Sequence, residues 1–261
     1  MKFIIITILF LLVTTSLHAE ELVKLETRTG VEQRFILIKS EKPVASVILF
    51  AGGKGALRLS SLFGSPTINW GKNNFLVRTR ELFAKHGFTV SVIDAPSDRK
   101  TKKVMLGGFR DSKEHVEDID HVIDYLRKQA DVPVWLIGTS RGTESATNIA
   151  INSKKHPYGL VLTSSMSVAN NKGTPVTDMD LEKIQIPTLI IANTDDGCNK
   201  TPPEGAKEIA DKLINSKKVE VKMYTGGNKP ISKPCNAMSY HGFLGIENSV
   251  VDFISTFIKN N

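Results

Sequence analysis

The sequence predicts an α/β fold: a mostly parallel central sheet with an antiparallel hairpin at its N-terminal end and helices on both faces. Three observations predict it. From Leu22 onward the apolar pattern switches repeatedly between a period near 2 and one near 3.6, so strands alternate with helices. Parallel neighbours need a long crossover, and that crossover is usually a helix. Residues 44–50 (VASVILF) form a near-continuous apolar run, as a strand buried on both faces does. The first two runs lie too close together for a crossover and read as a hairpin.

In chain order, residues 22–28 and 31–38 alternate like strands around the turn at Thr29-Gly30, and residues 44–50 form the third strand. Residues 75–86 have helical spacing closed by Gly87; residues 88–93 are a strand, and a polar loop runs on to about Arg110. Residues 111–130 are a long amphipathic helix with Val116, Ile119, Val122, Ile123 and Leu126 on one face. Then follow strand 133–137, helix 144–151, strands 159–163 and 187–192, helix 206–214, strand 219–224 and helix 246–258. No internal repeat or linker interrupts the pattern.

Met1-Lys2, the apolar run 3–13 and the small-residue stretch ending at Ala19 read as an export signal cleaved after residue 19. The run is shorter than the roughly 20 apolar residues a membrane span needs, so no stable membrane insertion is expected after cleavage. Residues 20–261 are then expected to form one domain, periplasmic or secreted. With 261 residues, 41% of them hydrophobic, roughly three quarters of the unfolded surface can be buried, and two Cys cannot make a disulfide-dense scaffold. The formal charge is +7, yet the 34 basic and 27 acidic residues are interleaved, which describes a solvated surface and not a nucleic-acid-binding patch.

Sites in parallel sheets lie at the carboxyl ends of strands. Strand 133–137 runs into Gly138-Thr139-Ser140-Arg141-Gly142 and then a helix. Gly-x-Ser-x-Gly in that position is a nucleophile elbow: the turn is so tight that its flanking residues have no room for side chains, and the serine Oγ is left exposed. The pattern is common by composition, and its placement between strand and helix is the informative part. The competing reading is a Gly-rich helix start with Ser140 as N-cap.

A serine hydroxyl needs a base. In elbow proteins the chain order is Ser, then Asp or Glu, then His. Only His156 and His241 follow Ser140, and no acid at a strand end separates Ser140 from His156, which leaves His241 as the base. The acid is expected after strand 187–192, where Asn193-Thr194-Asp195-Asp196 stands; Asp196 is preferred, with Asp195 the alternative. After the third strand, Gly52-Gly53-Lys54-Gly55 lets backbone N–H groups approach a developing oxyanion. Gly53, or alternatively Lys54, supplies one donor, and Arg141 the other. The stretch is not a phosphate loop, because it lacks the Ser or Thr after Lys and the four-residue spacer.

With these motifs in order, residues 20–261 resemble the α/β-hydrolase superfamily, on Gly138-Thr139-Ser140-Arg141-Gly142, Asn193-Thr194-Asp195-Asp196 and His241-Gly242-Phe243. The resemblance implies an α/β-hydrolase fold, a Ser140-Asp196-His241 triad, an acyl-enzyme and no cofactor. The expected substrate is a small-molecule ester, with a peptide, amide or thioester as alternatives and a non-catalytic binding protein as the reading from another class. Two departures stand out: Ala51 occupies the place where a histidine often precedes the oxyanion glycines, and no Gly-x-Gly-x-Ser follows Asp94. The interval 163–187 is too short for a large cap, so an open site is expected.

Cys198 lies two residues beyond Asp196, and Cys235 six before His241; in an oxidising compartment they are expected to pair and tie the acid loop to the base loop. Arg141 and Lys54 flank the oxyanion position, where they could meet a carboxylate-bearing substrate or serve only packing. Arg110, His115 and Asp118 read as capping and surface charges, and no metal is expected because no second ligand cluster accompanies them.

Overall fold

The computed structural model describes residues 19–99 and 103–261; the expected export signal lies outside them. Strands β1 (Glu20–Arg28) and β2 (Val31–Ile38) are the expected hairpin, followed by β3 (Ala45–Phe50), β4 (Ser60–Leu62) and β5 (Ser65–Thr67). Helices α1 (Phe75–Arg78) and α2 (Arg80–Lys85) lead to β6 (Phe88–Ile93), α3 (Lys113–Gln129), β7 (Val134–Thr139) and α4 (Gly142–Asn152). The chain closes with β8 (Gly159–Thr163), β9 (Thr188–Asn193), α5 (Gly205–Lys212), β10 (Val219–Tyr224) and α6 (Glu247–Lys259).

Eight strands form one sheet in the order β1-β2-β6-β3-β7-β8-β9-β10. It is parallel from β6 to β10 and antiparallel only where β1 and β2 join. Alternate side chains of each strand feed two separate cores. On one face Val47, Leu49, Trp135 and Ile137 pack against Phe75 of α1, Phe83 of α2 and Ile254 of α6. On the other Ile48, Phe50, Val134 and Leu136 pack against Ile119 and Ile123 of α3, Ile149 of α4 and Ile209 of α5. Period 2 in the strands and 3.6 in the helices thus build two apolar layers around one sheet.

The strand order positions the site. From β3 the chain goes to β6 on one side and returns to β7 on the other. The crossovers therefore diverge between β3 and β7, and a crevice opens at their carboxyl ends. Gly52 follows β3 there, and Ser140 follows β7.

Two features depart from the sequence expectation. The helix expected at 75–86 is interrupted for one residue at Thr79 (φ −98, ψ 2), whose N–H and hydroxyl both donate to the Phe75 carbonyl (3.1 and 2.7 Å), giving two short helices. The small β4–β5 sheet was not expected, because its six residues are solvent-exposed or half-buried and carry no alternating apolar signal.

Candidate active site

Ser140 sits at the tip of the β7–α4 turn with φ +51, a conformation in which bulky residues are rare. Its N–H donates to the Thr163 carbonyl of β8 (3.0 Å), and its own carbonyl accepts from the N–H and hydroxyl of Thr143, so the turn is held from both sides. The flanking glycines are steric necessities. A Cβ at Gly142 would lie 2.0 Å from the Phe50 carbonyl oxygen, and one at Gly138 would lie 2.5 Å from that of Gly142.

His241, in a loop between β10 and α6, is 5% exposed and Asp196, just after β9, is 7% exposed. His241 Nδ1 lies 2.8 Å from Asp196 Oδ2. Thr201 Oγ1 donates to the same carboxylate oxygen and is itself 3.0 Å from Nδ1, while the Cys198 N–H donates to Asp196 Oδ1 at 2.9 Å. With Asp196 accepting on Nδ1, Nε2 is left as the acceptor. The alternative acid, Asp195, is elsewhere: its Oδ2 accepts from the Gly226 N–H at 2.9 Å.

Ser140 and His241 line one cleft of about 740 Å³, without a hydrogen bond between them. Such bonds often tighten only when substrate binds. The cleft wall is not the interval 163–187 but segments 51–57 and 69–75 on one side and residues of the 232–242 loop on the other. Cys235 belongs to that wall and forms a disulfide with Cys198, as expected.

Gly52 to Gly55 form a tight turn, closed by the Gly55 N–H on the Gly52 carbonyl, with Gly53 at φ +61. The amides of Gly53, Lys54 and Arg141 donate no hydrogen bond among the described residues. Of the three, Gly53 and Lys54 line the cleft. The Arg141 side chain donates to Asn170 Oδ1 (2.8 Å) and is not part of the cleft wall, whereas exposed Lys54 is.

Arg110, His115 and Asp118 are not surface charges: all three are buried, because the start of α3 lies under the β1–β2 hairpin and the loop after β3. Asp118 accepts from Thr27 and Arg28. Arg110 Nη2 donates to the Ala51 carbonyl (2.9 Å) and Nη1 to Ser145 Oγ (2.7 Å), tying the glycine turn to α4. A Cβ on Gly55 would lie 2.5 Å from Nη2. His115 packs against Phe50 and Phe109, its two ring nitrogens have no partner among the described residues, and burial beside Arg110 pushes its pKa down to about 3.

Close by, burial pushes the Glu144 carboxyl up to about 7 against the opposing pull of Arg110. Oε1 accepts from the Thr174 N–H at 3.1 Å, and Oε2 has no partner among the described residues. Between the ordinary carboxylate range and pH 7 the folded chain therefore binds more protons than the unfolded one, and stability falls as pH rises through that window. Glu144→Gln mimics the protonated form. It is expected to be more stable than the wild type at pH 8, by on the order of 2–3 kcal/mol, and equal to it near pH 4.5, as thermal denaturation at both pH values would register.

Sequence reasoning missed the residues that hold the loop carrying His241. Arg78 donates to the carbonyls of Gly242 and Ala237 and pairs with Glu247 at 2.9 Å. Ser164 Oγ donates to the His241 carbonyl at 2.9 Å, and Phe75 packs on Phe243 with ring centroids 5.0 Å apart. Nothing local marks these residues, since their partners are about 80 to 170 positions away in sequence. Among the described residues no three His, Cys, Asp or Glu gather as a metal site.

No protein-family model matches the sequence, and no match is found among curated proteins. Solved structures do match over nearly the whole chain. An esterase from Pyrococcus furiosus aligns with a TM-score of 0.65 at 14% identity, covering 93% of each chain. A cold-adapted esterase from an Arctic intertidal metagenomic library aligns at 0.58 and 14% identity, covering 92% of this chain and 93% of the other. A CIB-like hydrolase from Thermoplasma acidophilum aligns at 0.59 and 17% identity, covering 93% and 99%.

Proposed function

The chain has the α/β-hydrolase fold, and from that premise we propose that it is an exported serine hydrolase that cleaves a carboxylic ester. The observation that carries this reading is the arrangement of Ser140 at φ +51 and the Asp196-paired His241 on one cleft. In the reaction, Ser140 Oγ attacks the ester carbonyl while His241 Nε2 takes its proton. The carbonyl oxygen becomes an oxyanion held by the N–H groups of Gly53, with Lys54 as the alternative, and Arg141. Collapse expels the alcohol, which receives the proton from His241, and leaves an acyl group on Ser140. Water, deprotonated by His241, then attacks the acyl-enzyme; as the Ser140 Oγ–acyl bond breaks and the acid leaves, His241 returns that proton to Ser140 Oγ. Asp196 holds the imidazole in the tautomer this cycle requires.

An ester is favoured over an amide because two of the structural neighbours are esterases. Export is supported by the leader pattern of residues 1–19 and by the Cys198–Cys235 disulfide, a bond that persists in oxidising compartments. Residues 20–261 would be the mature, single-domain enzyme.

The test is labelling of the purified mature protein by a fluorophosphonate, beside Ser140→Ala. Labelling of the wild type alone is the expected result, followed by turnover of short-chain p-nitrophenyl esters ahead of peptides and thioesters. A folded wild type that takes no label would instead indicate a binding protein on this fold.

A further inference from the structure

The geometry points to the side-chain amide of Asn74 as a third hydrogen-bond donor to the oxyanion, beside the two backbone amides; this rests on the serine-hydrolase reading above. Asn74 caps the short helix α1: its Oδ1 accepts the Leu76 N–H at 3.2 Å. That bond fixes which end of the amide is which, because an N–H can only face the oxygen. Nδ2 is thereby turned the other way, and it donates to nothing among the described residues.

It points where the chemistry would occur. Asn74 lines the cleft with Ser140 and His241. A methyl group built on Gly52 would lie 3.0 Å from Ser140 Cβ and 3.4 Å from Asn74 Nδ2, so both groups crowd one point beside the glycine turn. Gly52 is the residue immediately before the proposed donor Gly53. Because position 52 is glycine, the point that a side chain would fill, within 3.4 Å of Asn74 Nδ2, 3.1 Å of the Thr139 carbonyl oxygen and 3.0 Å of Ser140 Cβ, is left open.

The amide is also preorganised, which is what makes such a donor effective. The Asn74 N–H donates to the Gly71 carbonyl (2.9 Å), and its carbonyl accepts from the Arg78 N–H (2.9 Å). The next residue, Phe75, is buried against Phe243, two positions past the base. Asn74 is thus anchored to the same packing unit as His241, and a neutral NH₂ donor there would strengthen its bond as the carbonyl oxygen gains charge.

The experiment uses two variants of the full mature protein. Asn74→Asp keeps the shape and the cap acceptor but has no N–H to give; Asn74→Ser keeps a cap acceptor on a side chain too short to reach. The expected result for both is a fall in kcat on p-nitrophenyl acetate of about 10²–10³-fold, with KM within about threefold and the melting temperature unchanged. Affinity for a trifluoromethyl ketone, whose hemiketal on Ser140 mimics the oxyanion, should fall by a similar factor. A kcat within threefold of wild type in Asn74→Ser, or a rise in KM alone, would overturn the assignment while fluorophosphonate labelling still upheld the serine-hydrolase reading. An unlabelled wild type would overturn both.

Discussion

Asp196→Asn is expected to lower kcat by about 10⁴-fold, whereas Asp195→Asn leaves it within about threefold of wild type. The two carboxylates are adjacent in sequence, yet they face different partners. Asp196 accepts from His241 Nδ1, from the Thr201 hydroxyl and from the Cys198 N–H. An amide at position 196 can turn its NH₂ toward Nδ1 and so favour the tautomer with its proton on Nε2, which cannot take a proton from Ser140. Among the described residues Asp195 accepts only the Gly226 N–H, and an asparagine oxygen can do the same. Steady-state kinetics on one p-nitrophenyl ester, with melting temperatures to establish folding, would check the contrast. Equal losses from both substitutions would contradict the assignment of the acid.

The second large effect concerns the Cys198–Cys235 disulfide, which closes a segment with a sequence separation of 37. On the chain-entropy account its removal costs about 3–4 kcal/mol. The double variant Cys198→Ser/Cys235→Ser should lose that stability in urea denaturation. It should also lose activity at temperatures where it is still folded. The Cys198 N–H is one of the three donors on Asp196, and Cys235 belongs to the cleft wall, so the bond fastens the loop carrying Asp196 to the loop carrying His241. Unchanged kcat in a folded double variant would reduce the disulfide to a purely stabilising element.

Much of this was legible in the sequence because it is encoded locally. The hairpin around Gly30, the strands at 159–163 and 219–224 and the long helix of residues 113–129 follow from apolar period alone. The elbow was legible because its steric demand falls on Gly138 and Gly142, within two residues of Ser140. Thr79 shows the limit of period: residues 75–86 keep helical spacing, but at Thr79 the backbone turns to φ −98, ψ 2 and the run is interrupted for one residue. Arg110, His115 and Asp118 show the converse. Charged types on a helix start suggest solvent, and only the loop and hairpin folded over them make them interior.

The sequence by itself therefore determined the class of fold, the tight turn between Gly138 and Gly142 that carries Ser140, and the short lists from which the proposed acid and base are drawn, since each depends on neighbours a few residues apart. The tertiary structure decided which members of those lists meet. It turned Asp196 toward His241 and Asp195 toward Gly226, set Arg110 beneath the glycine turn and brought Asn74 to the edge of the cleft. These are contacts between strand ends and loops far apart in sequence. Their geometry depends on the order in which strands pair and on how loops pack over the sheet, and no local period carries that information.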